Sequence, residues 1–274
     1  NSNNCTQPTS ETCIGNSTVV TSFTGATLRS GSPTSLPAKY TFYNIATISG
    51  NQINATITID QTLNVSMTGS NFSIDDDAAV DQANNSIASF FAPRITPAAS
   101  LAGTSARGYV QFTIRFYVGN GTAGEQYTNS AGDDYSTIPP SGGLTGLNYI
   151  HYDIDGSTVG TGGWFRETGV VKSVTGLSVN GDASTELAAY TYPDGTDTYK
   201  GFAGSVCERT GVSRCAQVAA AANYATPQTS ITVRMGYDYN RTTSNMNQQQ
   251  TRQNGSRFGC FHFPQQSTLP VYLK

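Results

Sequence analysis

The chain has 274 residues and a mass of 29.0 kDa, with 15 Lys and Arg against 18 Asp and Glu and a formal charge of −3. Only 12% of its residues are charged, about half the ~25% of an ordinary domain. That leaves no basic stripe for nucleic-acid phosphates. Aromatic and β-branched residues are too plentiful for charge-driven disorder, and no apolar run approaches the ~20 residues of a membrane-spanning helix.

Residues 1–24 read as an N-terminal arm ahead of one domain over 25–274. The chain begins at Asn1 rather than Met, so it is expected to be a mature exported protein whose signal peptide has been removed. Cys5 and Cys13 stand eight apart, as do Cys207 and Cys215. Each pair is expected to close a short disulfide loop in an oxidising compartment, leaving Cys260 over; each cysteine also suits the role of a small buried hydrophobe. No C-x-x-C occurs, so zinc, thioredoxin-like and c-haem readings fall away.

Period-two alternation dominates the rest. Ile53, Ala55, Ile57 and Ile59 alternate with Asn54, Thr56 and Thr58, and Leu63, Val65 and Met67 with Asn64 and Ser66. Asp60-Gln61-Thr62 between them reads as a hairpin loop. Val110, Phe112, Ile114, Phe116 and Val118 form a third alternating set, and Ile231, Val233, Met235 and Tyr237 a fourth. Further strands are predicted near residues 19–24, 39–48, 147–154, 169–174, 187–192, 198–202, 258–263 and 271–273. One dry and one wet face per strand describes antiparallel sheets. The expected fold is therefore all-β: a single large antiparallel β-sandwich, jelly-roll-like, of about eleven or twelve strands. Residues 215–224, rich in alanine, are the one helix candidate. Residues 121–146 and 242–256 read as long polar loops.

N-x-S/T sequons fall at Asn4, Asn16, Asn54, Asn64, Asn71, Asn84, Asn120, Asn240 and Asn254. Glycosylation is expected at them, with Asn54 and Asn64 on the polar phase of strands; unmodified polar surface is the plain alternative. Asp153-Ile154-Asp155-Gly156 ends a predicted strand, with Glu167 twelve residues beyond Asp155. Alternate carboxylates beside a glycine turn suit calcium, with Asp153, Asp155 and Glu167 as ligands; a solvated turn is the alternative. Asp153 with Glu167 is also the one carboxylate pair worth testing for glycoside hydrolysis. Trp164, in a Gly-rich loop, and Tyr149 and Tyr152 are candidate sugar-stacking residues, the alternative for Trp164 being a plug at the end of the core. His151 and His262 are the only histidines and sit in aromatic strands, where packing suits them better than catalysis.

The run Tyr40–Ala55, then Tyr109–Val118, Asp153–Gly156 with Glu167, Ile231–Met235, and finally Arg257-Phe258 and Phe261–Phe263 resemble, in order, the landmarks of a β-sandwich module of bacterial cell-surface and adhesin-type exported proteins. The resemblance covers about residues 38–264. It implies a non-catalytic extracellular or cell-surface role in display, adhesion or assembly, and carries Asp153, Asp155 and Glu167 over as cation ligands. The leading expectation is a structural subunit of a filament, sheath or surface layer. It would assemble with identical copies by strand addition through residues 16–24 or 270–274. A calcium-dependent carbohydrate-binding or adhesion module, with glycan partners, is the alternative, and a secreted glycoside hydrolase the second.

Overall fold

The computed structural model describes residues 21–48, 51–67, 73–98, 106–118, 143–159, 163–205, 211–240 and 251–262. They form β1 (Thr27–Ser32), β2 (Ser35–Ile48), β3 (Asn51–Leu63), β4 (Val65–Ser66), β5 (Arg94–Pro97), β6 (Ala106–Val118), β7 (Thr145–Tyr152), β8 (Gly156–Val159), β9 (Gly163–Lys172), β10 (Leu177–Gly181), β11 (Ala188–Asp194), β12 (Asp197–Ala203), β13 (Ala220–Tyr224), β14 (Ser230–Asn240), β15 (Arg252–Gln253) and β16 (Gly255–His262). Nine strands make the large sheet, in the order β1-β2-β3-β6-β14-β9-β12-β11 with β8 also on β9. Four make a second, β10-β13-β7-β16, and three short ones a flap, β15-β5-β4. The strand pairs are antiparallel. Among the described residues no helix is long and apolar enough to cross a membrane.

The alternating residues explain this arrangement. Ile53, Ala55, Ile57 and Ile59 of β3, Val110, Phe112, Ile114 and Phe116 of β6, and Ile231, Val233 and Met235 of β14 all face one interior. Leu147 and Tyr149 of β7, Ala222 and Tyr224 of β13 and Phe258 of β16 meet them from the smaller sheet. Burying each large apolar side chain contributes ~1.5–3 kcal/mol. The rings interlock edge to face, Phe91 on Phe112 and Phe116 on Phe258, each at 5.1 Å between centroids, the arrangement favoured by the aromatic quadrupole. The smaller sheet is covered on its far face too. Ile150, Tyr152, Ala219 and Ala221 pack there against Ala79, Ile87, Phe90, Ala92 and Val212.

The sandwich agrees with the sequence pattern; several local expectations do not. Residues 215–224 are not a helix. A three-residue 3-10 turn, Ala216–Val218, leads into strand β13. This strand lies between β7 and β10 with apolar layers on both faces, so small alanines let the layers close and tertiary packing overrides helix propensity. Asp60-Gln61-Thr62 is not a hairpin loop. β3 runs through it, with a register shift between Ile59 and Gln61. The Asp60 carboxylate is kept in the sheet by accepting hydrogen bonds from the Thr113 hydroxyl at 2.6 Å and Gln111 Nε2 at 3.3 Å. The expected arm also reaches further into the domain than its boundary suggests. Phe23 is fully buried against Phe42, Phe91 and Phe258, and residues 1–20 lie outside the described residues.

Candidate functional site

Asp153, Asp155 and Glu167 are all buried, and the charges of both aspartates act on Glu167. Asp153 follows β7 with a left-handed backbone, φ +62°, and its Oδ1 accepts the Ser213 N–H at 3.0 Å. The carbonyl of Asp155 accepts the N–H of Glu167 at 2.7 Å, and the carbonyl of Glu167 accepts that of Gly204 at 2.9 Å. Gly204 has to be glycine, because a Cβ there would stand 2.1 Å from the Asp155 carbonyl oxygen. Burial, and then the charges of Asp155 and Asp153, push the Glu167 carboxyl well above its ordinary range. Arg252 faces it with Nε 3.8 Å from Oε1, and Oε2 is buried without a hydrogen-bond partner. Next along the same interior, His151 lies against Gly169, where a Cβ would come within 2.1 Å of Nδ1. Burial pushes His151 down to about 4, against a hydrogen bond with the Asn254 side chain that raises it.

A guanidinium already supplies the positive charge beside Glu167, and among the described residues no group of three or more His, Cys, Asp or Glu is disposed to hold a metal ion. Asp153 and Glu167, the carboxylate pair considered for glycoside hydrolysis, are both buried.

A second constellation lies on the opposite face of the large sheet. Arg234 on β14 is only 2% exposed. Its guanidinium is sandwiched between the rings of Tyr199, at 3.5 Å, and Tyr109, at 4.0 Å. It donates from Nε to Gln111 Oε1 at 2.9 Å, from Nη1 to the Tyr192 hydroxyl at 3.2 Å and from Nη2 to Asp194 at 2.5 Å. Arg107 on β6 stacks on Tyr192 at 3.5 Å and donates from Nε to the Tyr190 hydroxyl at 2.9 Å. Arg166 on β9 bonds Asp238 at 3.0 Å and lies 3.9 Å from the centre of the Trp164 ring.

These contacts require the sheet to curl. β6 and β11 are separated by β14, β9 and β12, yet Tyr109 on β6 donates to Asp194 on β11 at 3.4 Å. The β11–β12 hairpin therefore folds over the outer face and buries Val170, Tyr192 and Tyr199 in a small separate cluster. Two glycines permit the bend. A Cβ on Gly201 would come 2.0 Å from the Gly169 carbonyl, and one on Gly236 would come 2.0 Å from that of Gly108. Sequence periodicity places Arg234 on the wet phase of its strand and shows Tyr190, Tyr192 and Asp194 at i, i+2, i+4. It does not reveal that they meet, because register across five strands is not written in any one of them.

Of the predicted stacking residues, Tyr149 and Tyr152 are core side chains. Tyr149 packs on Phe258 and Tyr152 on Phe90, both almost fully buried, because each faces an apolar layer. Trp164 is half-buried on β9, neither in a loop nor plugging the core. Among the sequons, Asn54 and Asn254 are buried and have no room for a sugar. The Asn54 side chain instead accepts the Asn44 N–H at 2.8 Å. Asn64 and Asn84 are exposed and Asn240 half-buried, while Asn4, Asn16, Asn71 and Asn120 lie outside the described residues, as do Cys5, Cys13 and Cys207. Cys215 is disulfide-bonded.

No protein-family model matches the chain, and no curated protein does. Among solved structures it is similar to the N-terminal domain of the Streptococcus gordonii adhesin Sgo0707, with 16% identity, 81% of this chain and 47% of that one covered, and a TM-score of 0.41. It thus spans about half the length of that structure. It is also similar to the adhesin domain of PrgB from Enterococcus faecalis. In the DNA-bound structure the identity is 9%, with 87% of this chain and 70% of that one covered and a TM-score of 0.38. In the other PrgB structure the figures are 11%, 87%, 66% and 0.37.

Proposed function

We propose that this chain is a non-catalytic, extracellular adhesion-type module that contacts a glycan along the outer face of its large sheet. The observation that carries the reading is the arginine–aromatic array. Trp164 and Tyr190 sit half-buried at its margin, while Arg107 and Arg166 are held flat against rings. Rings of that kind stack on sugars, and guanidiniums fixed by packing present hydrogen-bond donors without losing much entropy on binding. The test is a glycan array probed with the full chain and with Trp164→Ala and Tyr190→Ala. Binding by the parent that falls in both variants supports the reading; equal binding by all three contradicts it. Chelator is expected to change nothing, because Arg252 already supplies positive charge beside Glu167.

The second reading is self-assembly by strand addition. It is favoured by the position of β1 and β11 at the two ends of the large sheet's strand order, where unpaired backbone groups invite a further strand. Chain ends outside the described residues, 16–20 and 270–274, are the donors this reading requires. Electron microscopy of the native material is expected to show fibres that vanish when those ends are deleted. Monomers at high concentration with both ends intact would end this reading.

A further inference from the structure

Within that glycan-contact face, one corner has charge to spare. Arg107 on β6, Asp238 on β14 and Arg166 on β9 stand directly opposite one another across three neighbouring strands. Two cations thus flank one acid, and the acid is taken by Arg166 at 3.0 Å. Among the described residues Arg107 has no ion pair. Its Nε bonds the Tyr190 hydroxyl and its plane lies on Tyr192. Among the described residues its Nη nitrogens make no hydrogen bond. A half-buried guanidinium is therefore locked in orientation with its two outer nitrogens unspent. This local positive excess stands in a chain of net charge −3.

We propose that this corner is a carboxylate-recognition subsite for a polysaccharide containing uronic acid; the proposal rests on the glycan-contact reading above. A guanidinium edge matches a carboxylate with two parallel hydrogen bonds. Tyr190 and Trp164 flank the two arginines and supply faces for the sugar rings on either side. Arg107 and Arg166 lie two strand spacings apart, about 9–10 Å, and Arg166 is already engaged by Asp238. One free guanidinium suits one carboxylate per sugar. A nucleic acid needs many phosphate contacts, about 6–10 for salt-sensitive binding, and the outer face sets Asp194, Asp197 and Asp238 among its cations, which repel a continuous polyanion of that charge density.

The experiment uses the full chain against immobilised alginate, hyaluronate and polygalacturonate, the carboxyl-reduced form of each, and duplex DNA. At least one uronate polymer is expected to bind, at least 10-fold more tightly than its reduced form. Arg107→Ala is expected to lose that preference, and Arg107→Lys, which keeps charge and stem but not the planar edge, to lose most of it. Lys172→Ala, whose cation is paired with Asp197, is expected to behave as the parent. Thermal melts that match the parent for Arg107→Lys exclude a folding defect as the cause. Equal binding to acidic and reduced polymers overturns the subsite while leaving the glycan-contact face standing. Tighter binding to DNA than to every uronate polymer also overturns it, in favour of phosphate. Absence of binding to any carbohydrate overturns both readings together.

Discussion

The buried corner and the outer array use the same parts and reach opposite states. Each sets an arginine against a carboxylate with an aromatic ring beneath it: Arg252, Glu167 and Phe165 in the corner, Arg234, Asp194 and Tyr199 in the array. In the corner the ion pair is long, 3.8 Å, Glu167 is buried, and two further acids crowd it, so its carboxyl is held above its usual range. In the array the pair is 2.5 Å, and the Asp194 side chain is 46% exposed. Its hydrogen bond from Arg234 holds Asp194 below its usual range. Burial penalises a charge that lacks enough donors, whereas a guanidinium pinned between rings supplies them at the water's edge. A compact polar interior and an available surface therefore come from one composition, separated by which face of the sheet each residue takes.

The largest expected effect is in the array. Arg234→Ala removes a cation sandwiched by two tyrosines and strands Gln111, Tyr192 and Asp194, so urea unfolding is expected to show a loss of about 3–4 kcal/mol. A loss under ~1 kcal/mol would mean that the stack is decoration. Next comes the bend that builds it. Gly201→Val would drive its side chain into the β9 backbone, at an expected cost of about 2–3 kcal/mol, with Tyr190 and Tyr192 becoming more accessible to chemical modification.

The corner is tested by pH. Glu167 is raised in the fold, so between its ordinary value of 4.5 and its folded value the native state holds more protons than the unfolded one. Stability from this group is full below that window and falls as pH rises through it. Asp75, which lies outside the corner and accepts the Ala92 N–H at 2.8 Å, is pushed up to about 8 by burial and acts with the same sign from 3.8 upward. His151, pushed down to about 4, acts in the opposite sense, losing stability as pH falls below 6.5. Asp75→Asn is therefore expected to gain about 2 kcal/mol over the parent at pH 8.5 and little at pH 4, and Glu167→Gln to flatten the remaining alkaline decline. Equilibrium unfolding at several pH values checks both; a Glu167→Gln curve parallel to the parent's would remove the corner's electrostatics from the account, and a parallel Asp75→Asn curve the burial effect at Asp75. The smallest effect belongs to Lys172 and Asp197, 2.8 Å apart and about a third exposed. Lys172→Ala should cost no more than ~0.5 kcal/mol.

The core was legible because its strands alternate: every second residue of 53–59, 110–116 and 231–235 is an apolar side chain in the shared interior. The acidic corner was half legible. Spacing brought Asp153, Asp155 and Glu167 together, but Arg252, far along the chain, arrives through the pairing of β15 with β5, and its charge changes what the acids can hold. The alanines of β13 misled, because helix propensity is a local quantity and two apolar layers pressing on one strand are not. Of the outer array only Trp164 was singled out; that the arginines and tyrosines meet was hidden. It depends on a curl that brings β11 over β6, and only the glycines at 201 and 236 hint at it.

Arginine Nε–Hε resonances followed by NMR, as a bound uronate oligosaccharide is titrated in, separate the two regions in one spectrum. The signals of Arg107 and Arg166 are expected to shift in proportion to occupancy, while that of Arg252 stays still. Movement of Arg252 with Arg107 and Arg166 unmoved would place the ligand at the buried corner and contradict the assignment of the outer face.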